Sequence, residues 1–233
     1  MFGRYLGSAL AANLKLGMIC LYLGWGAPVY AGAGEHRLAG LALRAEGKFP
    51  EAIAEFEQAI ALEPDQSGNY VLLGWTQHLY GQSQPAANSL WQAIYRQPNH
   101  VEAFNALGIV YLVRGELPHA IAIHSWSALL KPNNEIAYFN LSLAYHRQQM
   151  YDLALHYAQS ASSLEPNSPH PLIALALAYW GMQERANALD FLRQGIALQP
   201  LYGDRQTLDQ LKKAGFHDMQ IATVGAMLNE IAD

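Results

Sequence analysis

The sequence predicts a solenoid of repeated units rather than one globular core, and three observations support this fold class. Prolines recur at one constant interval, at Pro64, Pro98, Pro132, Pro166 and Pro200. Alanines recur with the same spacing, at Ala52, Ala86, Ala120, Ala154 and Ala188. The stretch 101–134 carries the fullest pattern, with Phe104, Leu107, Gly108, Tyr111 and Gly115. A fixed period of this length is the sequence signature of a repeat architecture.

The pattern resembles the tetratricopeptide repeat (TPR) family, whose unit is about 34 residues long. Five units share one register, at 33–66, 67–100, 101–134, 135–168 and 169–202. The resemblance implies an all-α fold, in which each unit is an antiparallel helix pair and the pairs stack into a right-handed superhelical solenoid. It also implies a protein that binds protein partners, with the inner surface lined by the first helices.

Steric requirements explain which residue types recur within a unit. A small residue at position eight and alanine at position twenty let the two helices cross closely, and large residues at positions four, seven, eleven and twenty-four fill the remaining space. Pro50, Pro85 and Pro118 suit the first turn of the second helix, where a missing N–H costs nothing. His124 stands where phenylalanine is usual. The turn of the fifth unit, 182–185, lacks the glycine, so that unit is the least regular.

The repeat motif stops after Pro200, and we expect residues 203–233 to form a helical cap. Residues 204–214 read as a helix with Gly215 as its stop. Asp218 is placed to cap a last helix, with Ile221, Val224 and Leu228 on one face. Three roles remain open for this last helix: it covers the end of the array, it docks on a partner, or it folds back into the groove.

Residues 1–31 have the layout of a secretory signal peptide. Arg4 and Lys15 precede an uncharged apolar stretch that runs from residue 16 to residue 34, with small residues suited to cleavage after Ala31 or Ala33. We therefore expect an exported protein, in a periplasm or a thylakoid lumen. The alternatives are an uncleaved membrane anchor at residues 16–34 and a cytosolic extension.

Composition argues against several other functions. The net charge is −5, charged residues make up 14 %, and no basic run occurs, so we expect no nucleic-acid partner. The one cysteine, Cys20, lies in the leader, which leaves no disulfide framework. The histidines are isolated, and no nucleophile, phosphate-binding or dinucleotide motif is present. We expect no catalytic residue, no metal and no cofactor.

In the TPR family, the first helix of each unit lines the inner surface, and matching positions here define the candidate partner-binding groove. These positions are Arg37, Val71, Trp75, His78, Asn105, Ile109, Leu112, Phe139, Leu143, His146, Arg147, Ile173, Leu177 and Trp180. Most are apolar or aromatic, which favours a partner segment with apolar anchors. An apolar stripe at helical spacing is equally typical of a core, so both interpretations stay open.

From the repeats, the groove and the leader together, we expect a non-catalytic scaffold. It would bind an extended or helical segment of a partner protein during assembly of an envelope or membrane protein complex. Three alternatives remain: a permanent structural subunit of a secretion, pilus or outer-membrane machine, an assembly factor for photosynthetic membrane complexes, and an enzyme whose site the sequence motifs do not show. The partner's identity and the oligomeric state are not predicted by the sequence.

One stability prediction follows from the steric pattern. Ala120→Leu should overpack the crossing of the third helix pair and lower the free energy of unfolding by about 1–3 kcal/mol. Urea unfolding followed by circular dichroism measures the effect. An unchanged midpoint would contradict the assignment of position twenty to the crossing.

Overall fold

The computed structural model describes residues 32–232, so the predicted leader lies outside the described residues. Within this range the chain is all-α and contains no β-strand. The repeated units are α1 (Ala33–Ala45) with α2 (Phe49–Leu62), α3 (Ser67–Leu79) with α4 (Ser83–Arg96), α5 (Val101–Arg114) with α6 (Leu117–Leu130), α7 (Glu135–Arg147) with α8 (Tyr151–Leu164), and α9 (Pro169–Gly181) with α10 (Arg185–Leu198). The predicted all-α repeat fold is confirmed.

The helices form two layers. The two helices of each unit pack against each other, and each second helix packs against the first helix of the following unit. The first helices α3, α5, α7 and α9 also contact their neighbours directly, so they form the inner layer. The second helices lie outside them. Each of the five periodic prolines follows the last residue of a second helix by two positions.

The turn between the two helices has the same backbone conformation in all five units. Its central residue has a positive φ of 76° at Gly47, 84° at Gly81, 79° at Gly115, 60° at Gln149 and 64° at Gln183. The fifth unit, which the sequence marks as least regular, therefore closes its turn like the others. A side chain makes this left-handed conformation unfavourable, because Cβ approaches the following carbonyl oxygen.

Glycine at position eight is required where the paired helices cross. The contacts are Gly40 with Phe56, Gly74 with Leu90, and Gly108 with His124. An added Cβ would lie 2.7, 2.7 and 2.5 Å from the opposing side chain, respectively. Such distances are shorter than any van der Waals contact, so a larger residue in these three units would require the opposing side chain or helix to move.

His124 occupies the crossing of the central unit and is fully buried. Neither ring nitrogen has a hydrogen-bond partner of ordinary geometry in the described part of the chain. In the first unit, the ring of Phe56 fills the same place opposite Gly40. A neutral aromatic ring therefore fits this position, whereas the imidazole is buried there with its polar atoms unpaired.

The chain after α10 differs from the sequence expectation in one respect. Two 3₁₀ segments, Pro200–Gly203 and Arg205–Ala214, replace the predicted α-helix, and Gly215 ends the second with φ of 93°. A 3₁₀ helix rises about 2.0 Å per residue instead of about 1.5 Å, so the second segment is longer than an α-helix of the same sequence would be. Helix α11 (Asp218–Ala232) follows. We call residues 215–232 the C-terminal segment.

The largest buried cluster is shared between the repeats and the C-terminal segment. Val224 and Met227 of α11 and Leu211 of the second 3₁₀ segment are fully buried, in one cluster with residues of α5, α7, α8, α9 and α10. Smaller clusters lie under the first, second and third units. The C-terminal segment is thus part of the core at one end of the array.

The left-handed turns generate a stability prediction. Gln149→Gly and Gln183→Gly should each raise the free energy of unfolding by about 1 kcal/mol, because glycine adopts a positive φ without steric cost. The matched control is Gln148→Gly, since Gln148 has φ of −85° and gains nothing from glycine. Chemical unfolding of the three variants measures the difference. Equal effects of the substitutions at 148 and 149 would contradict the explanation.

Candidate functional site

The structure divides the predicted groove residues into a covered half and an open half. The covered half lies on α7 and α9, in the fourth and fifth units, and the open half lies on α1, α3 and α5. This division was not visible in the sequence, because all the positions are equivalent in the repeat.

The C-terminal segment lies on the covered half. The ring of Phe216 meets Phe139 edge to face, with centroids 5.6 Å apart. The side-chain amide of Gln220 donates a hydrogen bond to the backbone carbonyl of Leu143 at 3.3 Å and lies 3.4 Å from Nδ1 of His146. Phe139 and Leu143 are consequently buried. In this conformation they contact the chain itself and not a partner.

Helix α11 continues along the fifth unit. It contacts α9 and α10, and both Ile173 and Leu177 of α9 are fully buried. Trp180 lies under the guanidinium of Arg185, 3.5 Å from the ring centroid. Arg185 also pairs with Glu230 of α11 at 3.6 Å. The aromatic anchor expected at Trp180 is therefore held in intramolecular contacts at the rim of the cap.

Gln220 has a second role that the sequence analysis missed. Its side-chain oxygen accepts the backbone N–H of His217 at 3.0 Å, which caps the start of α11. Asp218, which the sequence suggested as the cap, instead forms an ion pair with Lys212 at 2.9 Å. A glutamine three residues after the capping position is a recognisable signal, but its contact with Leu143 crosses 77 residues and has no sequence signal.

Two further predicted groove residues are buried between units. Asn105 accepts hydrogen bonds from the Ser127 hydroxyl at 2.7 Å and from the Asn134 side-chain amide at 2.8 Å. All three side chains are buried. Leu112 is also fully buried, and its carbonyl accepts a hydrogen bond from Arg147 at 2.6 Å. Asn105, Leu112 and Arg147 therefore connect the third unit to the fourth.

The open half is formed mainly by α3 and α5. Val71, Trp75 and Ile109 are half-buried, and Val113 at the end of α5 is 55 % exposed. The ring of His78 lies against Trp75, with centroids 5.1 Å apart, and burial lowers the pKa of His78. The sequence of α3 contains no Asp, Glu, Lys or Arg. This part of the inner surface is apolar and uncharged.

Arg37 marks the edge of the open half on α1. Its guanidinium donates hydrogen bonds to the Glu63 carboxylate and to the Asn69 side-chain oxygen, the latter at 3.3 Å. Glu63 follows α2 and Asn69 lies in α3, so Arg37 bridges the first unit to the second. Its charge is already paired within the protein.

Three histidines have pKa values that burial lowers strongly. Burial lowers the pKa of His124 to about 3, an effect that the Gly108 backbone offsets only in part. Burial lowers the pKa of His146 to about 4, again with partial offset from the backbone of Leu177. Burial likewise lowers the pKa of His170 to about 4. All three side chains are neutral near pH 7.

Two further findings concern metal binding and membrane-spanning helices. Between residues 32 and 232, no group of three His, Cys, Asp or Glu side chains could hold a metal ion. None of the helices in the same range is long and apolar enough to cross a membrane.

Comparisons with known proteins agree with the repeat geometry. Family models of the tetratricopeptide repeat match residues 33–66 and 136–168. The chain is a tetratricopeptide repeat protein. TPR domains are protein-interaction scaffolds and are generally non-catalytic. No curated protein sequence matches this TPR chain.

Solved structures show the same fold at low sequence identity. A MamA crystal structure has a TM-score of 0.63 and 22 % identity, covering 72 % of this chain and 92 % of that one. TTC0263, a thermophilic TPR protein of Thermus thermophilus, has a TM-score of 0.62 and 20 % identity, covering 84 % and 99 %. YrrB, described as a TPR protein with an unusual peptide-binding site, has a TM-score of 0.59 and 19 % identity, covering 78 % and 92 %.

The buried histidines predict loss of stability in acid. Each has a folded-state pKa below its unfolded value of about 6.5, so the unfolded chain takes up protons that the folded chain does not. The free energy of unfolding is therefore highest above about pH 6.5. It falls as the pH drops from there through the folded-state pKa values, about 4 for His146 and His170 and about 3 for His124. For His124 the loss at pH 5 is about 2 kcal/mol.

The matched variant is His124→Phe, which places at this crossing the residue type that the first unit has at Phe56. It should be at least as stable as the wild type at pH 7.5 and should lose less stability between pH 7.5 and pH 5. Urea unfolding at both pH values measures this. If both proteins lose the same free energy, His124 does not contribute to the acid sensitivity.

Proposed function

We propose that this TPR protein holds an apolar segment of a partner protein, extended or helical, against the open half of its inner surface. The observation that carries the proposal is the apolar surface of α3 and the middle of α5, which has no charged side chain, with Val113 more than half exposed. The specific contacts of the C-terminal segment with the inner surface lie on α7 and α9, beyond the middle of this surface.

The charge distribution favours an apolar partner. Helix α5 carries only Glu102 and Arg114, one at each end, and Arg114 pairs with Glu116 at 2.6 Å. Binding along the middle of these helices would therefore bury little charge. Aromatic and aliphatic anchors supply most of the binding energy in such interfaces, because water is excluded around them. Trp75, Val71 and Ile109 would be the anchors here.

For the cellular setting, we propose an exported scaffold that assists assembly of an envelope or membrane protein complex. The support is the composition of residues 1–34, with a basic start and a long uncharged apolar stretch. Mass spectrometry of the protein from native cells tests this setting. A mature amino terminus near Gly32 or Gly34 supports export, and an intact Met1 argues for an anchor or a cytosolic extension.

The binding surface is tested by placing a charge on it. Val113→Lys should weaken partner binding at least tenfold, because an ammonium group would be taken out of water against an apolar segment. Helix content and unfolding midpoint should be unchanged, because the side chain is already 55 % exposed. The partner is first identified by crosslinking in native envelope fractions, and its Kd for the purified chain is then measured.

The control is Leu129→Lys on the outer helix α6, where the side chain is 67 % exposed. This variant should bind the partner with wild-type affinity. If Leu129→Lys loses partner binding and Val113→Lys retains it, the partner binds the outer surface and the proposal is wrong.

A further inference from the structure

The C-terminal segment contacts the inner surface of the fourth and fifth units as a bound ligand would. Its start packs on predicted groove positions of the first helix α7, and α11 then packs on the first helix α9 and the second helix α10. Its residues Ile221, Val224, Met227 and Leu228 form the buried face of an amphipathic helix. The opposite face, including Ala222, Ala226 and Asn229, is exposed.

Specific contacts are concentrated at the start of the segment. Phe216 meets Phe139 at 5.6 Å and lies 6.4 Å from the His170 ring. Four residues later, Gln220 donates to the Leu143 carbonyl. That carbonyl lies inside α7, and a carbonyl oxygen has two lone pairs, so it can accept this bond in addition to its helical one. An aromatic group followed by an amide is thus recognised at fixed spacing.

Helix formation in the segment is coupled to this recognition. The Gln220 side-chain oxygen accepts the N–H of His217, while its nitrogen binds α7. One side chain therefore both starts α11 and fixes it to the repeat. A helix as short as α11 is marginal in water when isolated, so a released segment would lose much of its helix. This is the behaviour of a ligand that folds as it binds.

The ion pairs and the connecting chain that also hold the C-terminal segment are weak enough for a partner segment to replace it. The ion pairs Arg185–Glu230 and Lys212–Asp218 are formed by substantially exposed side chains, and such pairs contribute little to stability. The connection to the fifth unit includes the long 3₁₀ segment Arg205–Ala214, a length that is uncommon because its hydrogen bonds are poorly aligned. The strong contacts are those a partner segment of similar sequence would reproduce.

We propose that the inner surface of the fourth and fifth units is a second binding site, separate from the open half. Its ligand is a partner segment in which an aromatic residue is followed, four positions later, by a glutamine that opens an amphipathic helix. In the free protein the chain's own C-terminal segment occupies this site. The inference does not depend on the function proposed for the open half, since it concerns different residues.

An intramolecular ligand competes at an effective concentration in the millimolar range. A free segment at micromolar concentration therefore binds poorly until the internal segment is weakened. The test uses the full chain and a fluorescent synthetic peptide with the sequence of the C-terminal segment, residues 215–232. Anisotropy titrations compare the wild type with Phe216→Ala, which weakens the internal segment and leaves the site intact.

We expect the peptide to bind the Phe216→Ala chain at least tenfold more tightly than the wild-type chain. Adding Phe139→Ala to this variant should remove the gain, because Phe139 belongs to the site. The matched control is Phe191→Ala, which deletes an aromatic ring that stacks on Tyr179 within the fifth unit at 5.5 Å. It should bind the peptide no better than the wild type.

If Phe216→Ala does not fold, a second variant that removes less buried apolar surface can still test the proposal. Gln220→Ala removes the bond to Leu143 and the cap of α11 without emptying the buried face, and it should also increase peptide affinity. The proposal is overturned if neither folded variant binds the peptide more tightly than the wild type and Phe191→Ala. The C-terminal segment would then be a fixed cap and not an exchangeable occupant.

Discussion

The close crossing of the two helices in each unit is the constraint on which the rest of the structure depends. Gly40, Gly74 and Gly108 leave no room for a Cβ, and a large side chain from the second helix fills the space directly opposite. Since this contact sets the distance between the paired helices, it also sets how each unit meets the next. The inner layer of first helices follows from repeating that one geometry at a constant interval along the chain.

The central unit combines this steric constraint with buried polar groups. Asn105, Ser127 and Asn134 satisfy one another within the third unit, and Asn134 also caps the first helix of the fourth unit. His124, one turn away on the same helix as Ser127, has no such partner among the described residues. A satisfied buried network favours one packing arrangement, because any other leaves its polar atoms unpaired. The histidine has the opposite effect and makes the centre of the array sensitive to protonation.

The C-terminal segment converts a uniform inner surface into two unequal halves. Over α7 and α9 the apolar positions are buried by the chain's own residues, whereas α3 carries no charged side chain and α5 carries charges only at its two ends. The two halves have different chemical requirements for a ligand. One is defined in detail by its occupant, through Phe216 and Gln220, and the other only by its lack of charge.

The sequence by itself determined the repeat fold, because sterics at a helix crossing act between two residues of the same unit and recur at a fixed period. It predicted the positions of Gly40, Gly74 and Ala120 in that crossing for this reason. The turns at Gln149 and Gln183 lack glycine and still adopt a positive φ, because the two helices they join must pack in the same way as in the other units. The candidate site was predictable only as a set of equivalent positions on the first helices.

The tertiary structure alone decided which of the equivalent positions on the first helices face water. Asn105 pairs with Asn134 at the end of the third unit, and Gln220 contacts Leu143 across 77 residues. Neither contact leaves a periodic trace in the sequence. Phe139 and Trp75 occupy equivalent inner positions, yet the first packs on Phe216 and the second lies beside His78. The difference arises because a non-repeated segment packs on one end of a repeated surface, and periodicity cannot specify such a long-range contact.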